Sequence, residues 1–126
     1  MTIAVAQDGF ALMFASNRLR KNKKVVTIAV EQSRHALKFA SKKLKNDEQV
    51  VTDAVTQDGL ALRYASIELK ENKRVVTAAV TQNGMALQYA STTNFDIFVT
   101  ALRQQPLALK YITQQFIIVA LTRYHY

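Results

Sequence analysis

The chain has 126 residues, of which 49% are hydrophobic and one is proline, which is typical of one folded domain with a sizeable core and not of a disordered chain. It contains no cysteine, which excludes a disulfide framework and thiolate zinc sites, and its apolar run at 116–121 is far shorter than the roughly 20 residues that span a bilayer. The net charge of +8 lies in the first third, because residues 1–45 hold ten Lys or Arg against two acids, whereas residues 46–126 hold seven of each sign.

The first ten residues lack the basic region and the continuous apolar region of a signal peptide. The absence of cysteine fits a reducing compartment. The sequence therefore leaves the localisation open between the cytoplasm and secretion without a classical signal peptide.

One phrase recurs along the chain at a spacing of 25 residues. Val-Val-Thr stands at 25–27, 50–52 and 75–77, and an aromatic residue followed by Ala-Ser recurs at Phe14, Phe39, Tyr64 and Tyr89. A fifth, weaker copy at 97–112 follows at a spacing of 22 and puts Tyr111 in the aromatic position. Self-similarity at such a period predicts a stack of repeated structural units.

The hydrophobic spacing within each copy predicts two helices joined by a short turn. The predicted helices are 2–7 and 10–20, 24–32 and 35–45, 48–57 and 60–70, 73–82 and 85–92, followed by less regular helices near 95–104, 107–113 and 115–123. We therefore predict an all-α fold, an α-solenoid of tandem 25-residue helix-turn-helix repeats with a degenerate C-terminal end. Its single domain, 1–126, divides into repeats at about 1–22, 23–47, 48–72, 73–94 and 95–113 and a C-terminal helix at 114–126.

The turn between the two helices carries Asx-Gly in three of the copies, at 8–9, 58–59 and 83–84. Glycine in this position predicts a left-handed residue that closes the first helix. Arg34 takes this position in the second copy, where a left-handed conformation would cost about 1 kcal/mol. Pro106 takes it in the fifth, where the first position of a helix accepts proline.

The core is predicted from the positions that stay apolar in every copy. We expect one continuous core made of five leucines and the five recurring aromatic residues, namely Leu12, Leu37, Leu62, Leu87 and Leu109 with Phe14, Phe39, Tyr64, Tyr89 and Tyr111.

The consensus VVTxAVxQxGxALxYASxxLKxN resembles a short bacterial and protist repeat known as domain of unknown function number 4116. The resemblance covers nearly the whole chain, is strongest from 23 to 92 and is weak beyond 95. It implies an array of paired helices, often in host-associated bacteria, and it implies no established activity and no catalytic residues. Ser33-Arg34 and Gln105-Pro106 depart from its pattern.

The residues offer little for catalysis. His35 and His125 lie 90 positions apart without a metal-binding spacing. The serines at 16, 41, 66 and 91 recur with the repeat and are interpreted as packing residues. The three glycines form no phosphate-binding loop. We therefore expect no enzyme, no catalytic residue, no cofactor and no metal site.

A basic surface is the main functional feature of the sequence. Lys38, Lys42 and Lys45 share one face of the second helix of their repeat, and the stacking of repeats places further cations beside them. The candidate binding surface is Arg20, Lys38, Lys42, Lys45, Arg63 and Lys70. The recurring aromatic residues are expected to lie inside the apolar arc, so that the surface lacks the interleaved cations and rings of single-strand binders.

The sequence therefore predicts a non-catalytic interaction module, an α-helical repeat scaffold that binds another macromolecule, first of all a protein. The basic face has two interpretations, a site for an acidic partner and an ordinary solvated face that keeps the chain soluble. The alternative is an electrostatic binder of nucleic acid or an anionic membrane through the basic N-terminal third. A third alternative is a structural segment of a longer protein whose activity lies elsewhere. Apolar residues in the first repeat, among them Ile3, Val5, Phe10 and Phe14, also predict self-association through the N-terminal repeat.

Overall fold

The computed structural model describes residues 9–33, 35–92 and 94–124, which form α-helices and 3-10 helices without a strand among them. The predicted helix at 2–7 lies outside these residues, and self-association through that end stays a prediction. The described elements, in chain order, are η1 Gly9–Phe14, α1 Asn17–Arg20, α2 Lys23–Gln32, η2 Ala36–Phe39, α3 Lys42–Lys45, α4 Glu48–Gln57, η3 Gly59–Tyr64, α5 Ile67–Lys70, α6 Lys73–Gln82, η4 Gly84–Tyr89, α7 Phe95–Gln104, η5 Pro106–Ala108 and α8 Leu109–Tyr124.

The four long helices that open the units, α2, α4, α6 and α7, agree with the predicted bounds to within one residue. Each begins after an Asn or Asp whose side chain accepts a hydrogen bond from the backbone N–H three residues later, which satisfies one of the free donors of the first turn. The accepting Oδ1 atoms and their N–H donors are Asn22 with Val25 (3.1 Å), Asp47 with Val50 (3.1 Å), Asn72 with Val75 (3.1 Å) and Asn94 with Ile97 (3.3 Å). The apolar stripe behind each cap is buried.

The second half of each unit differs from the single α-helix that was predicted. In the third unit, the 3-10 helix η3 ends at an extended Ala65 (φ −72°, ψ 161°), and the short helix α5 begins after Ser66. Ser66 Oγ accepts from Leu69 N–H at 3.2 Å, and Ser16 and Ser41 cap α1 and α3 in the same way. Serine competes for backbone donors and is favoured at a cap over a helix interior, so these serines act as caps, and their interpretation as packing residues was wrong.

The C-terminal region also departs from its predicted helices. Pro106 begins the 3-10 helix η5, as its fixed φ allows. The helices predicted at 107–113 and 115–123 are one continuous helix, α8, from Leu109. No glycine or proline interrupts the chain after Pro106, so nothing local ends the helix.

The turn glycines are not left-handed, because no described residue has a positive φ. A Cβ atom on Gly59 would instead lie 2.3 Å from the carbonyl oxygen of Ala79, and one on Gly84 would lie 2.5 Å from that of Ala101. Glycine is therefore required by the close approach of the next unit and not by backbone conformation. The strain predicted for Arg34 lies outside the described residues.

The predicted core is correct for four leucines and wrong at its ends. Leu12, Leu37, Leu62 and Leu87 are fully buried, but Leu109 is 57% exposed and Phe14 is 73% exposed. In the last unit, Ile112 is buried in its place, because the change from 3-10 to α-helix at residue 109 rotates the following side chains. The other recurring rings, Phe39, Tyr64, Tyr89 and Tyr111, are only partly buried against the core.

Successive units contact each other in chain order, through the long helices α2, α4, α6 and α7 and through the 3-10 helices η1 to η5. Three backbone hydrogen bonds join neighbouring units at the same position, from Ser41 N–H to Arg20 O (3.0 Å), Ser66 N–H to Lys45 O (2.9 Å) and Ser91 N–H to Lys70 O (2.9 Å). Within the described part of the chain, no helix has the length and apolar character needed to cross a membrane.

Candidate binding surface

The described residues include no group of three or more His, Asp or Glu side chains that could hold a metal ion. They also include no buried polar or charged side chain. The elements of the second half of each unit place the cations singled out in the sequence at the surface or half-buried beside it.

Four of the six predicted residues form a basic cluster, Arg20, Lys38, Lys42 and Lys45, which comes from α1, η2 and α3. The pKa of Lys45 is lowered from its ordinary value of 10.5, first by partial burial and then by the positive charges of Arg20, Lys38 and Lys42. The other three cations therefore lie close enough to Lys45 to repel its charge. Arg20 is among them although it belongs to the preceding unit and α2 stands between it and Lys38 in the sequence.

Arg20 is held in the basic cluster by three contacts. Its Nε donates to the carbonyl oxygen of Ala15 at 3.2 Å, its Nη2 donates to the carbonyl oxygen of Met13, and its guanidinium lies 5.9 Å from the centre of the Phe39 ring. The first two contacts fix the side chain against its own unit, and the third joins it to the next. Arg20 is thus positioned before any partner arrives.

The other two predicted residues, Arg63 and Lys70, lie in the third unit. Arg63 is exposed, and its guanidinium lies 5.0 Å from the centre of the Tyr64 ring and 5.8 Å from that of Tyr89. Lys70 is half-buried and lines a cleft with Ile67, Tyr89 and Ile118. Arg63 therefore spans two units, and Lys70 borders the C-terminal helix α8.

A cation–aromatic row runs across the units. It consists of the cations Arg20, Lys38, Arg63 and Lys110 with the rings of Phe39, Tyr64, Tyr89 and Tyr111. Phe14 is the exposed ring at the same position of the first unit. Lys38 Nζ lies 5.8 Å from the Phe39 ring centre, and Lys110 Nζ lies 4.9 Å from that of Tyr111. The expectation that the rings lie inside the apolar arc is confirmed in part, because four of the five pack against the core. The expectation that the surface lacks interleaved cations and rings was wrong.

The sequence held a signal for this row in the pairs Lys38-Phe39, Arg63-Tyr64 and Lys110-Tyr111. In the predicted α-helix, the aromatic position belonged to the buried stripe. In a 3-10 helix, three residues complete a turn, so the ring turns partly toward solvent beside the preceding cation. Tyr111 has the same exposure beside Lys110 although it lies in the first turn of α8, directly after η5.

Cations at the starts of the long helices have acidic partners. Lys23 Nζ lies 3.2 Å from Asp47 Oδ2, and Arg74 Nη1 lies 3.6 Å from Glu48 Oε1. Partial burial, the largest influence on Asp47, raises its pKa, but the N–H of Val50, the Lys23 ammonium and a further backbone N–H outweigh it and hold the pKa below 3.8. These pairs join neighbouring units and lie apart from the basic cluster.

Comparison with known proteins supplies a family. The family model described as Domain of unknown function (DUF4116) matches residues 1–45, 47–95 and 72–117. Each match spans about two of the recurring units, and the last two overlap over 72–95. Neither the curated proteins nor the solved structures gave a match.

Proposed function

The chain belongs to the DUF4116 family, and we propose that it is a non-catalytic interaction module, in which tandem 25-residue repeats stack as an α-solenoid and bind another macromolecule. The solenoid is supported by the backbone hydrogen bonds that recur between neighbouring units and by the contacts between successive long helices. In such a stack, each unit contacts its neighbours, and equivalent side chains form continuous surfaces.

The observation that carries this proposal is the basic cluster. Its four cations come from two units: Arg20 and Lys38 both lie beside the Phe39 ring, at 5.9 and 5.8 Å from its centre. Lys42 and Lys45 line one cleft. Partial burial, and then the charges of the other three cations, lower the pKa of Lys45. None of the four forms an ion pair with a carboxylate within the described residues. A single-sign surface of this kind attracts and orients an anionic partner.

Charge alone does not select the class of partner. The leading partner from the sequence is another protein, for which an acidic segment would fit this cluster. The alternative is nucleic acid or an anionic membrane. All three offer closely spaced negative charges, and all three bind such a cluster more weakly as salt screens it. The shared requirement is an extended anionic surface.

The proposal is tested by neutralising part of the basic cluster. The variant Lys38→Gln, Lys42→Gln, Lys45→Gln should keep its fold, because exposed charges contribute little to stability. It should lose affinity at low salt for whichever of poly-L-glutamate, oligothymidylate or phosphatidylserine vesicles the unmodified chain binds. The matched control is Lys24→Gln, Lys73→Gln, Arg103→Gln, which removes the same charge from exposed positions of the long helices.

Equal affinity loss in both triple variants would show that net charge, and not this cluster, attracts the partner. Unchanged affinity in the first variant would remove the cluster from the binding surface. In either case the proposed site is wrong.

A further inference from the structure

The rings of the cation–aromatic row are a feature that charge attraction alone does not require. Phe14 is 73% exposed, and Phe39, Tyr64, Tyr89 and Tyr111 are partly exposed. Resting on the function proposed above, we propose that this row binds single-stranded nucleic acid, with unpaired bases against the rings and phosphates at the cations. The inference names the partner class of the basic surface.

The spacing of the row follows the stacking of the units. Each ring comes from a 3-10 helix or its direct continuation, and η1 to η5 contact one another in chain order. One ring is therefore presented per unit along the row. Helical repeat proteins that bind RNA also present one base-contacting position per repeat.

The third and fourth units show the clearest base-sized opening. Arg63 lies beside both Tyr64 and Tyr89, at 5.0 and 5.8 Å from their ring centres. These three residues line an open cleft of about 220 Å³. Both aromatic rings and guanidinium planes stack on unpaired bases, so these three side chains offer the same kind of contact.

An acidic side chain in the same cleft favours an uncharged nucleobase over an anionic group. Asp58 lines the cleft, and its Oδ1 accepts a hydrogen bond from Leu60 N–H at 3.1 Å. A carboxylate there repels the side chains of an acidic peptide as well as a phosphate, but it can accept hydrogen bonds from the N–H groups on the edge of a base, including N3–H of thymine. The cleft therefore favours a base, with the phosphates directed toward the basic cluster, where the cations are most concentrated.

A duplex would use the cations but not the rings, because its bases are already stacked within the helix. An acidic polypeptide would likewise gain little from rings whose faces suit planar bases. A single strand uses both components, since stacking adds to the phosphate contacts. The combination of partly exposed rings with cations at 4.9–5.9 Å from their centres therefore favours this partner.

The first experiment compares oligothymidylate, a DNA duplex of equal length and poly-L-glutamate as ligands of the unmodified chain. The single strand should bind most tightly at the same salt concentration. Phe14→Ala should weaken its binding by roughly fivefold or more, the effect of losing one stacked base. Phe95→Ala is the control, because Phe95 is 75% exposed and lies at the start of α7, outside the row.

The second experiment uses tyrosine emission, since the chain has five tyrosines and no tryptophan. Bound oligothymidylate should quench this emission. In the double variant Tyr64→Phe, Tyr89→Phe, the rings remain and affinity should persist, while the quenched fraction of the signal should fall. Quenching that is unchanged would place the bases elsewhere and overturn the inference.

The remaining outcomes separate this inference from the proposed function. The single-strand inference is overturned if the duplex or poly-L-glutamate binds as tightly as the single strand. It is also overturned if Phe14→Ala and Phe95→Ala lose equal affinity for the single strand. Either result leaves an anion-binding module. Failure of all three ligands and of phosphatidylserine vesicles to bind at low salt would overturn both.

Discussion

The backbone N–H of Gly59 donates a hydrogen bond of 2.6 Å to Oε1 of Gln82, the last residue of the next unit's long helix. This contact brings the glycine so close to the next unit that an added Cβ would meet the carbonyl oxygen of Ala79. Gly59 and Gln82 are thus two sides of one junction between units.

Gly59→Ala should destabilise the fold by about 1–3 kcal/mol, the range for forcing an extra carbon into a packed site. The free energy of unfolding from urea titration measures this cost. Gly59→Asn is the informative comparison, because asparagine tolerates a left-handed conformation but is larger than alanine. An asparagine variant more stable than the alanine variant would contradict the close-approach explanation.

Leu62→Ala should cost roughly 2–5 kcal/mol, because Leu62 is fully buried in the middle unit and truncation leaves a cavity. Leu12→Ala should cost less, since a unit at the end of a stack has fewer neighbours. Leu109→Ala serves as the control, as this leucine is exposed. Denaturant titration of the three variants gives the order of their free energies of unfolding. If Leu62→Ala loses no more stability than Leu109→Ala, the prediction of a continuous core is contradicted.

Asp47→Asn should remove a pH-dependent part of the stability while keeping the helix cap, which asparagine already provides in three other units. The folded-state pKa of Asp47 lies below its unfolded value near 3.8. Its contribution is therefore present above that value and is lost as the pH falls through the folded-state pKa.

Thermal unfolding at several pH values checks the effect of Asp47. The difference in the free energy of unfolding between the unmodified chain and Asp47→Asn should be under about 1 kcal/mol near neutral pH, as for a partly exposed ion pair. This difference should become smaller at acid pH. A gap that stays constant across the acid range would show that the ion pair with Lys23 does not hold the carboxylate ionised.

The stability contribution of Lys45 depends on pH in the opposite direction to that of an ion-paired lysine, whose pKa is raised. Its folded-state pKa is lowered, so the unfolded chain binds the proton more tightly, and the contribution of Lys45 to stability should rise as the pH increases from the folded-state pKa toward 10.5. Comparing Lys45→Gln with the unmodified chain isolates this contribution from those of the other lysines.

Lys42→Gln should raise the pKa of Lys45, because it removes one of the three repelling cations. NMR titration of the lysine side-chain signals measures the change, with Lys73→Gln as a distant control. A Lys45 pKa that does not respond to Lys42→Gln would show that the basic cluster is not a compact group of charges.

The sequence by itself determined the repeat, the bounds of the long helices and the four central leucines of the core. The long helices follow from local information, because each has an Asn or Asp cap and an apolar stripe at helical spacing within ten or so residues, and three of the four begin with a Val-Val pair. The leucines follow because the 25-residue spacing holds through these four units, whereas Leu109, in the unit that departs from that spacing, is exposed.

Only the tertiary structure decided the second half of each unit and the surface that it forms. A 3-10 helix and an α-helix differ by one residue in hydrogen-bond spacing, and contacts with neighbouring units choose between them. That choice turns Tyr64 partly outward beside Arg63, brings Arg20 to Lys45 across two units, and makes Gly59 necessary through an oxygen atom 20 residues further along the chain. These relationships depend on distances between units, which local periodicity does not contain.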